Sequence, residues 1–296
     1  MTKKPETIKE EDLIKRKDGL YYKKYARVPF SGISEQFHKE TVCGSFVFAP
    51  FEFSHKKGQF LTIKNYKNGK RDGSAETFYP NGKLRQKGNF INRKLHGPYE
   101  AFHKNGHLEY KRNYKDGKQN GLWEDYYDNG QLESKDNWKD GKRDGLQEWY
   151  SDEGQLEGRR NWKDGKLDGL EWYYQCSDFT QLPLKTNYFK TNYKDGERDG
   201  LFESYHDNGQ LWVMINYKNG EEDGPNEGYY YNGQLEFKGN YRDGKLEGPY
   251  EAFHKNGQLK SKGNWKDGKL DGPWEGYYYK GQLKYKENYK DGKLIE

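Results

Sequence analysis

Aromatic and charged positions alternate along most of this chain in short runs that end at glycine-containing pairs. In the run LEYKRNY (Leu108–Tyr114), Leu108 and Tyr110 alternate with Glu109 and Lys111. A period of two residues is typical of β-strands, and the abundant Tyr, Trp and Phe favour strands further. The period of 3.6 residues that marks an amphipathic helix is absent from these runs. The pattern therefore predicts an all-β protein.

The runs belong to an internal repeat of 24 residues. The ten-residue phrase GPYEAFHKNG occurs at 97–106 and again at 248–257. An asparagine that precedes an aromatic residue marks each unit, and one step, from Asn161 to Asn192, is longer by seven residues. A fixed period of this length predicts a repeat architecture. The marker residues are Asn65, Asn89, Asn113, Asn137, Asn161, Asn192, Asn216, Asn240, Asn264 and Asn288.

Each unit holds two turn signals and two strand-like runs, which predicts one β-hairpin per unit. The first signal is Asp-Gly or Asn-Gly after the aromatic residue, and the second is Asn-Gly, or a variant of it, before Gln-Leu. Successive hairpins then join into an elongated antiparallel meander, a solenoid in which contacts are mainly between neighbouring repeats. We assign the second signal a two-residue type I′ turn, while a three-residue turn with a glycine bulge would shift the strand pairing by one.

A glutamate recurs at one position of the first strand in nearly every unit. Counting outward from a two-residue turn places Glu100 opposite Lys111, and Glu203 opposite Met214, without a basic partner. We expect cross-strand ion pairs from this column, while a cation site is the alternative. The other predicted pairs are Glu76–Lys87, Glu124–Lys135, Glu148–Arg159, Glu227–Lys238, Glu251–Lys262 and Glu275–Lys286.

Composition argues for a thin structure rather than one with a thick core. Hydrophobic residues make up 31% of the 296 residues, while 27 Tyr and 8 Trp supply large side chains with a polar edge. The net charge of +5 comes from interspersed basic and acidic residues. Nucleic acid is therefore not expected as a partner, because a binding groove needs basic residues without acidic ones between them.

The ends and the interruption of the repeat suggest the domain organisation. We predict a mobile tail at 1–11, a degenerate N-terminal capping unit at 12–64, repeats at 65–174, an insertion at 175–190, and repeats again at 191–296. The cap contains a hairpin around Asp18-Gly19, and 42–60 has no counterpart in the repeats. The insertion is either a neutral loop or a contact specific to a partner.

Motifs for catalysis, cofactors and metals are missing, so we expect no enzyme activity, cofactor or metal site. His103 and His107 are separated by a turn, and we interpret them as solvated strand ends. The aspartates that precede glycine are ordinary turn residues. Two cysteines, Cys43 and Cys176, and the lack of a leader or a long apolar run lead us to expect a cytoplasmic protein.

The repeats resemble the MORN-repeat variant found in bacterial proteins called YwqK-like antitoxins. The segment NYKDGKLDGPWEGYYYKGQLKYKENYKDGK and the opening LIKRKDGLYYKKYARVPFSG carry the likeness, which covers 13–294 apart from 42–60 and the insertion. The resemblance implies a sheet of MORN-like hairpins, no enzyme activity, and a protein that neutralises a cognate toxin by binding it. Family members share no catalytic residues, so none is transferred to this chain.

The resemblance and the aromatic residues together predict a protein partner, a toxin in the sharpest version, and leave two alternatives. One alternative is a scaffold on an anionic membrane surface, which the glutamate column disfavours. The other is a carbohydrate or cell-wall binder, disfavoured by the missing leader. The oligomeric state is left open. Outward aromatic residues and the insertion are the candidate contacts for the partner, unless they serve only to pack neighbouring repeats: Tyr99, Trp123, Phe179, Tyr188, Tyr250 and Trp274.

Overall fold

The protein is built from β-strands joined by tight turns, as a computed structural model shows. The structure describes residues 6–24, 26–37, 42–44, 53–55, 60–174 and 188–295. It divides into two compact units, one formed by 1–145 and 149–156 and the other by 146–148 and 157–296. The division falls within a repeat and not at the insertion. In the described part of the chain the one helix is a 3-10 turn, Glu10–Asp12, and no helix is long and apolar enough to span a membrane.

Unit 1 is an antiparallel meander in which each strand pairs with the next one from Gly32–Phe37 onward. The exceptions are two short strands, Val42–Gly44 and Phe53–His55, which pair with each other. Its strands are β1 Thr7–Lys9, β2 Leu13–Lys15, β3 Tyr21–Lys23, β4 Gly32–Phe37, β5 Val42–Gly44, β6 Phe53–His55, β7 Phe60–Lys67, β8 Lys70–Phe78, β9 Leu84–Ile91, β10 Lys94–Phe102, β11 Leu108–Lys115, β12 Lys118–Tyr126, β13 Leu132–Lys139 and β14 Lys142–Arg143. The strand β15, Gly145–Tyr150, contains the division between the units.

The first residues of unit 1 are structured where the sequence predicts a mobile tail. Strand β1 pairs in parallel with β4, with Thr7 opposite Ile33. Strands β2 and β3 form the hairpin predicted around Asp18-Gly19, with Leu13 opposite Lys23. The chain from residue 6 onward therefore contributes to the N-terminal cap. Most of the unusual segment 42–60 lies outside the described residues.

Unit 2 repeats the same hairpin, with the first strand of each hairpin split into a two-residue and a six-residue piece. Its strands are β16 Leu156–Lys163, β17 Lys166–Leu167, β18 Gly169–Tyr174, β19 Tyr188–Lys194, β20 Glu197–Arg198, β21 Gly200–Tyr205, β22 Leu211–Lys218, β23 Glu221–Glu222, β24 Gly224–Tyr229, β25 Leu235–Arg242, β26 Lys245–Leu246, β27 Gly248–Phe253, β28 Leu259–Lys266, β29 Lys269–Leu270, β30 Gly272–Tyr277, β31 Leu283–Lys290 and β32 Lys293–Leu294.

The first turn signal forms a two-residue type I′ turn. Asp116 and Gly117 both have positive φ, 51° and 81°, and the flanking Lys115 and Lys118 pair directly. Aspartate and glycine are residues that adopt this left-handed region at low cost. The same geometry recurs at the other Asp-Gly and Asn-Gly turns of this type, and at Asn92-Arg93, where an arginine occupies the second position.

The second turn signal forms a three-residue turn, so the prediction of a two-residue turn is wrong. The Gly106 amide donates to the His103 carbonyl at 2.9 Å, and the His103 amide donates to the His107 carbonyl at 2.8 Å. Gly106 has a φ of 100° and forms the bulge that follows a type I turn.

The predicted strand pairing is nevertheless confirmed, because a second bulge corrects the shift. Phe102 pairs with Leu108, but Ala101 pairs with Tyr110, which leaves Glu109 as an extra residue. Beyond it Glu100 pairs with Lys111, as predicted, although the alternation expected across Leu108–Tyr114 breaks at Glu109. The described register also gives Glu76–Lys87, Glu124–Lys135, Glu203–Met214, Glu227–Lys238, Glu251–Lys262 and Glu275–Lys286.

The asparagine that marks each repeat holds another bulge, near the type I′ turn. In the hairpin of β22 and β24, the Asn216 side-chain amide donates to the Pro225 carbonyl at 2.6 Å, and the Asp223 amide donates to the Asn216 carbonyl at 2.8 Å. Gly224, with a φ of 118°, makes this bend. The marker residue is therefore structural.

One face of each unit carries a row of aromatic rings. In unit 1 the ring of Tyr99 lies 6.2 Å from that of Tyr114, which lies 5.5 Å from Trp123, and Trp123 lies 5.0 Å from Trp138. In unit 2 the equivalent row includes Phe237, Tyr250, Trp265 and Trp274. Some of these contacts lie within a hairpin and others join one hairpin to the next, so the thin core is a stack of rings over the sheet.

Candidate functional site

The three-residue turns are joined to one another by side-chain hydrogen bonds. In unit 2 the His206 Nε2 donates to the Tyr229 carbonyl at 3.2 Å, and the Tyr230 hydroxyl donates to the Phe253 carbonyl at 2.8 Å. The Asn208 amide donates to the Tyr231 carbonyl at 2.8 Å. Each donor reaches a carbonyl 23 residues further along the chain, so the turns are held in a fixed row.

Trp212 occupies the bulge that follows one of these turns. Tyr205 pairs with Leu211 and Ser204 with Val213, which leaves Trp212 as the extra residue. A bulge redirects its side chain out of the regular pleat. The apolar Leu61 holds this position in the pair of β4 and β7. Charged residues hold it in the other hairpins whose bulge the described register shows: Arg85, Glu109, Glu133, Glu236, Lys260 and Lys284.

Trp212, His206 and Tyr231 form what we call the aromatic turn cluster. The His206 ring lies 5.9 Å from the Trp212 ring and 5.3 Å from the Tyr231 ring. Trp212 is 48% exposed and Tyr231 57% exposed, although both are large aromatic residues. A hydrogen bond to the Asp207 carboxylate raises the pKa of Tyr231 and orients its hydroxyl. The cluster thus offers a fixed apolar surface with polar edges.

The aromatic surface continues along the same row of turns. The His254 ring lies 5.3 Å from Tyr279, which is 57% exposed, and the neighbouring Tyr278 is exposed as well. His254 Nε2 donates to the Tyr277 carbonyl at 3.2 Å. Exposed aromatic residues in such numbers are unusual unless they serve an interaction.

The candidate contacts that the sequence predicted in unit 1 lie within the packed ring row. Trp123 is only 9% exposed, and its indole Nε1 donates to the Asn113 carbonyl at 3.1 Å. Tyr99 is half-buried against Tyr110 and Tyr114, and this burial raises the pKa of Tyr99 to about 12. Packing of neighbouring repeats explains both residues, and Trp123 presents little surface to a partner.

The candidate contacts in unit 2 are divided between the two faces. Tyr250 and Trp274 lie half-buried in the ring row, and the Trp274 Nε1 donates to the Tyr285 hydroxyl at 3.2 Å. Tyr188 is half-buried and stacks on Tyr205 at 4.1 Å. Phe179 lies outside the described residues, as does most of the insertion. Within unit 2, the three described candidates lie on both faces of the sheet and therefore do not form one site.

The face opposite the ring row carries the glutamate column, with ion pairs that link successive hairpins. Lys87 pairs with Glu100 at 2.8 Å, although Lys87 was predicted to pair with Glu76 of its own hairpin. The prediction that Glu203 lacks a basic partner is wrong, because Lys190 of the preceding strand pairs with it. Lys87, Lys111, Lys238 and Lys262 each lie between two glutamates, so the column is a structural ladder.

Glu275 shows how strongly this ladder favours the ionised carboxylate. It accepts a hydrogen bond from Tyr277 and pairs with Lys286 at 3.0 Å and with Lys262 at 3.1 Å. These partners, Tyr277 first, lower the pKa of Glu275 to about 2.

The other polar clusters of the described residues are explained by contacts within the sheet. In the described part of the chain, no group of three or more His, Cys, Asp or Glu residues is placed to hold a metal ion. His103 and His107 each contact a carbonyl of the next repeat, those of Tyr126 and Asp128. A shallow depression of about 350 Å³ beside His103 contains Arg112 and Asp125, which neutralise each other at 2.8 Å.

Trp212 and Tyr231 are the surface residues that the sequence reasoning missed. A signal for Trp212 exists in the sequence, because a tryptophan stands in a column that holds arginine, lysine or glutamate in every other repeat except those of Leu61 and Tyr188. Recognising this signal requires knowing that the position is a bulge. A two-residue turn, as predicted, contains no such bulge.

Comparisons with known proteins agree with this repeat architecture. The sequence model described as MORN repeat variant matches eight segments, which together make up more than half of the chain: 71–92, 95–116, 119–140, 143–164, 198–219, 222–243, 246–267 and 270–291. No curated protein matches the sequence.

One similarity to a solved structure is weak. The chain aligns with a chain in a structure described as "Crystal Structure of TcdB2-TccC3-Cdc42", at 11% identity and a TM-score of 0.18. The alignment covers 92% of this chain and 16% of that chain. A TM-score this low carries no argument about fold or function.

Proposed function

The chain belongs to the MORN repeat variant family, and on this premise we propose that it acts without enzyme activity, by binding a protein partner. The aromatic turn cluster is the proposed contact. Trp212 and Tyr231 are large and half exposed, and the His206 ring lies between them. Tryptophan and tyrosine are enriched among the residues that dominate binding energy, and a rigid ring loses little conformational entropy on binding.

The charge pattern supports a protein partner for this cluster. Asp207 beside Tyr231 and Glu236 in the next bulge place carboxylates around the rings. These carboxylates oppose an anionic membrane surface at this position. Apolar rings with a polar rim are the usual composition of a protein interface.

The sharper proposal is that the partner is a toxin, which the chain neutralises by direct binding. Its support is the resemblance of the repeats to YwqK-like antitoxins. The reducing environment expected from two cysteines would place the encounter in the cytoplasm.

A binding experiment with matched variants tests the contact. The chain is co-purified with the product of an adjacent gene as the candidate partner, and affinity is measured for W212A/Y231A. We expect a loss of about thirtyfold or more, since two hot-spot residues contribute more than about 2 kcal/mol. K255A/K260A is the control, because Lys255 and Lys260 hold the same turn and bulge positions one or two repeats later. Equal losses in the two double variants would contradict the proposed contact.

A growth experiment tests the toxin separately. The same gene product is expressed alone and together with the chain. Growth arrest that the wild-type chain relieves and W212A/Y231A does not relieve is the expected result. Complex formation without any rescue of growth would exclude the antitoxin role and leave the protein-binding role in place.

A further inference from the structure

Three of the four type I′ turns of unit 1 carry lysines in directly opposed pairs. Lys67 pairs with Lys70, Lys115 with Lys118, and Lys139 with Lys142. We call these six residues the lysine edge. Like charges directly opposite each other on a sheet are destabilising, and the turn geometry does not need them, since Glu197 and Glu221 hold the second position in two turns of unit 2.

Hydrogen bonds between successive turns hold the lysine edge in a row. The Arg93 amide donates to the Arg71 carbonyl at 2.8 Å, the Gly117 amide to the Leu95 carbonyl at 2.8 Å, and the Gly141 amide to the Gln119 carbonyl at 2.9 Å. Successive turns are two strands apart, so each repeat adds about 10 Å along the row. The pairs Lys115–Lys118 and Lys139–Lys142 therefore stand about 10 Å apart. The turn before Lys115 holds Ile91 opposite Lys94, so the pair Lys67–Lys70 stands about 20 Å from Lys115–Lys118.

The six lysines are available to a ligand. All are exposed, and none makes an ion pair or a side-chain hydrogen bond within the described part of the chain. The four turn segments of unit 1 (67–73, 91–97, 115–121 and 139–145) hold ten basic and four acidic residues. The five corresponding segments of unit 2 that begin at 163, 194, 218, 242 and 266 hold nine basic and twelve acidic residues. Among these turn segments, the excess of basic over acidic residues is thus found in unit 1.

The acidic residues of this edge indicate what kind of anion fits. Asp116 and Asp140 occupy the tips of two turns, and the Asp116 side chain is 69% exposed. The Asp72 carboxylate already accepts a hydrogen bond from the Asn92 backbone amide at 3.0 Å. A flat anionic membrane would approach the carboxylates at the turn tips first and be repelled by them. A nucleic acid carries closely spaced phosphates, some of which would lie beside these carboxylates and be repelled as well. A ligand whose carboxylates are spaced apart can contact the lysines without placing a negative charge beside Asp116 or Asp140.

We infer that the lysine edge binds an extended, acidic segment of a protein. An extended chain advances about 3.3 Å per residue, so two residues three positions apart meet the pairs Lys115–Lys118 and Lys139–Lys142, and a residue six positions further along meets Lys67–Lys70. Opposed lysines also occur in unit 2, as at Lys163–Lys166 and Lys266–Lys269. The observations that carry this proposal are therefore the excess of basic over acidic residues in the turn segments of unit 1 and the spacing of its unpaired lysines. It does not rest on the aromatic turn cluster.

A labelled synthetic peptide with glutamate at every third position tests the proposal by fluorescence anisotropy. We expect saturable binding that weakens as salt rises, because exposed charges are screened. The variant K115Q/K118Q/K139Q/K142Q is expected to bind about tenfold more weakly or worse. The control, K163Q/K166Q/K266Q/K269Q, removes four lysines from the same turn positions in unit 2, and we expect a change of less than about twofold.

Three outcomes would overturn the proposal. One is the absence of saturable peptide binding, and another is an equal loss in the two quadruple variants, which would indicate unspecific charge attraction. The third is tighter binding of vesicles that contain phosphatidylserine, or of single-stranded DNA, with the same dependence on the unit 1 lysines. Thermal unfolding of both variants checks their fold, and removal of opposed like charges is not expected to lower the melting temperature.

Discussion

Single glycines and asparagines fix the bends of each hairpin at the residue scale. Gly224 has a φ of 118°, and a Cβ atom added there would lie 3.1 Å from the Cβ of Asn216. Gly248 also has a positive φ, 81°, but an added Cβ would meet no atom within 4 Å. Comparing alanine substitutions at the two glycines therefore separates the free-energy cost of the positive φ from the cost of the contact with Asn216.

We predict that G224A lowers the free energy of unfolding more than G248A does. A non-glycine residue at positive φ costs about 1–2 kcal/mol, and both variants bear this cost. G224A also pushes Asn216, which holds the bulge, and should cost about 1 kcal/mol more. Urea unfolding followed by tryptophan fluorescence measures both, and equal losses would show that the contact with Asn216 is relieved without cost.

Glu275 gives a prediction for acidic pH. Its pKa is lowered from 4.5 to about 2 by Tyr277, Lys286 and Lys262. A lowered pKa in the folded protein means that the stabilisation is complete above pH 4.5 and is lost as pH falls toward 2. We expect E275Q to be less stable than the wild type near neutral pH, with the difference shrinking across this window. Thermal unfolding over a pH series tests it, and a difference that stays constant with pH would contradict it.

The two kinds of turn determine the hairpin at the scale of the element. The type I′ turn sets the pairing of Lys115 with Lys118, while the three-residue turn needs the extra residue Glu109 to restore the pairing of Glu100 with Lys111. The bulge has a second consequence. It directs one side chain per hairpin away from the pleat, and in one repeat that side chain is Trp212.

Reciprocal substitutions test the energetic cost of the opposed lysines. K118E creates the pair that Lys194 and Glu197 already form in unit 2, and E197K creates the pair that Lys115 and Lys118 form in unit 1. We expect K118E to raise and E197K to lower the free energy of unfolding, each by about 0.2–1 kcal/mol at low salt. Urea titrations at low and high salt measure the shifts. Shifts of the same sign in both variants would contradict a cross-strand charge effect.

At the scale of the whole molecule, contacts between adjacent hairpins determine the stability of each unit. The identical segments 97–106 and 248–257 lie one in each unit and hold the same place in the glutamate column. Glu100 lies between Lys87 and Lys111, and Glu251 lies between Lys238 and Lys262. Their turns close with the same two hydrogen bonds.

We therefore predict similar hydrogen-exchange protection for the two segments. In a repeat architecture the stability of a hairpin depends on its own contacts and on those with its neighbours. Exchange followed by mass spectrometry should give protection factors that agree within about tenfold, or about 1.4 kcal/mol. A larger difference would show that contacts beyond the adjacent hairpins control local opening.

The sequence by itself determined the period, the positions of the turns and the pairing of Glu100 with Lys111, because these depend on residues close together in the chain. The tertiary structure decided which lysine each glutamate pairs with, as at Glu203 and Lys190, because that lysine comes from the preceding hairpin. It also decided that Trp123 is buried while Trp212 is exposed. The two residues are chemically identical, and the rings and bulges that surround them determine how much of each reaches the surface.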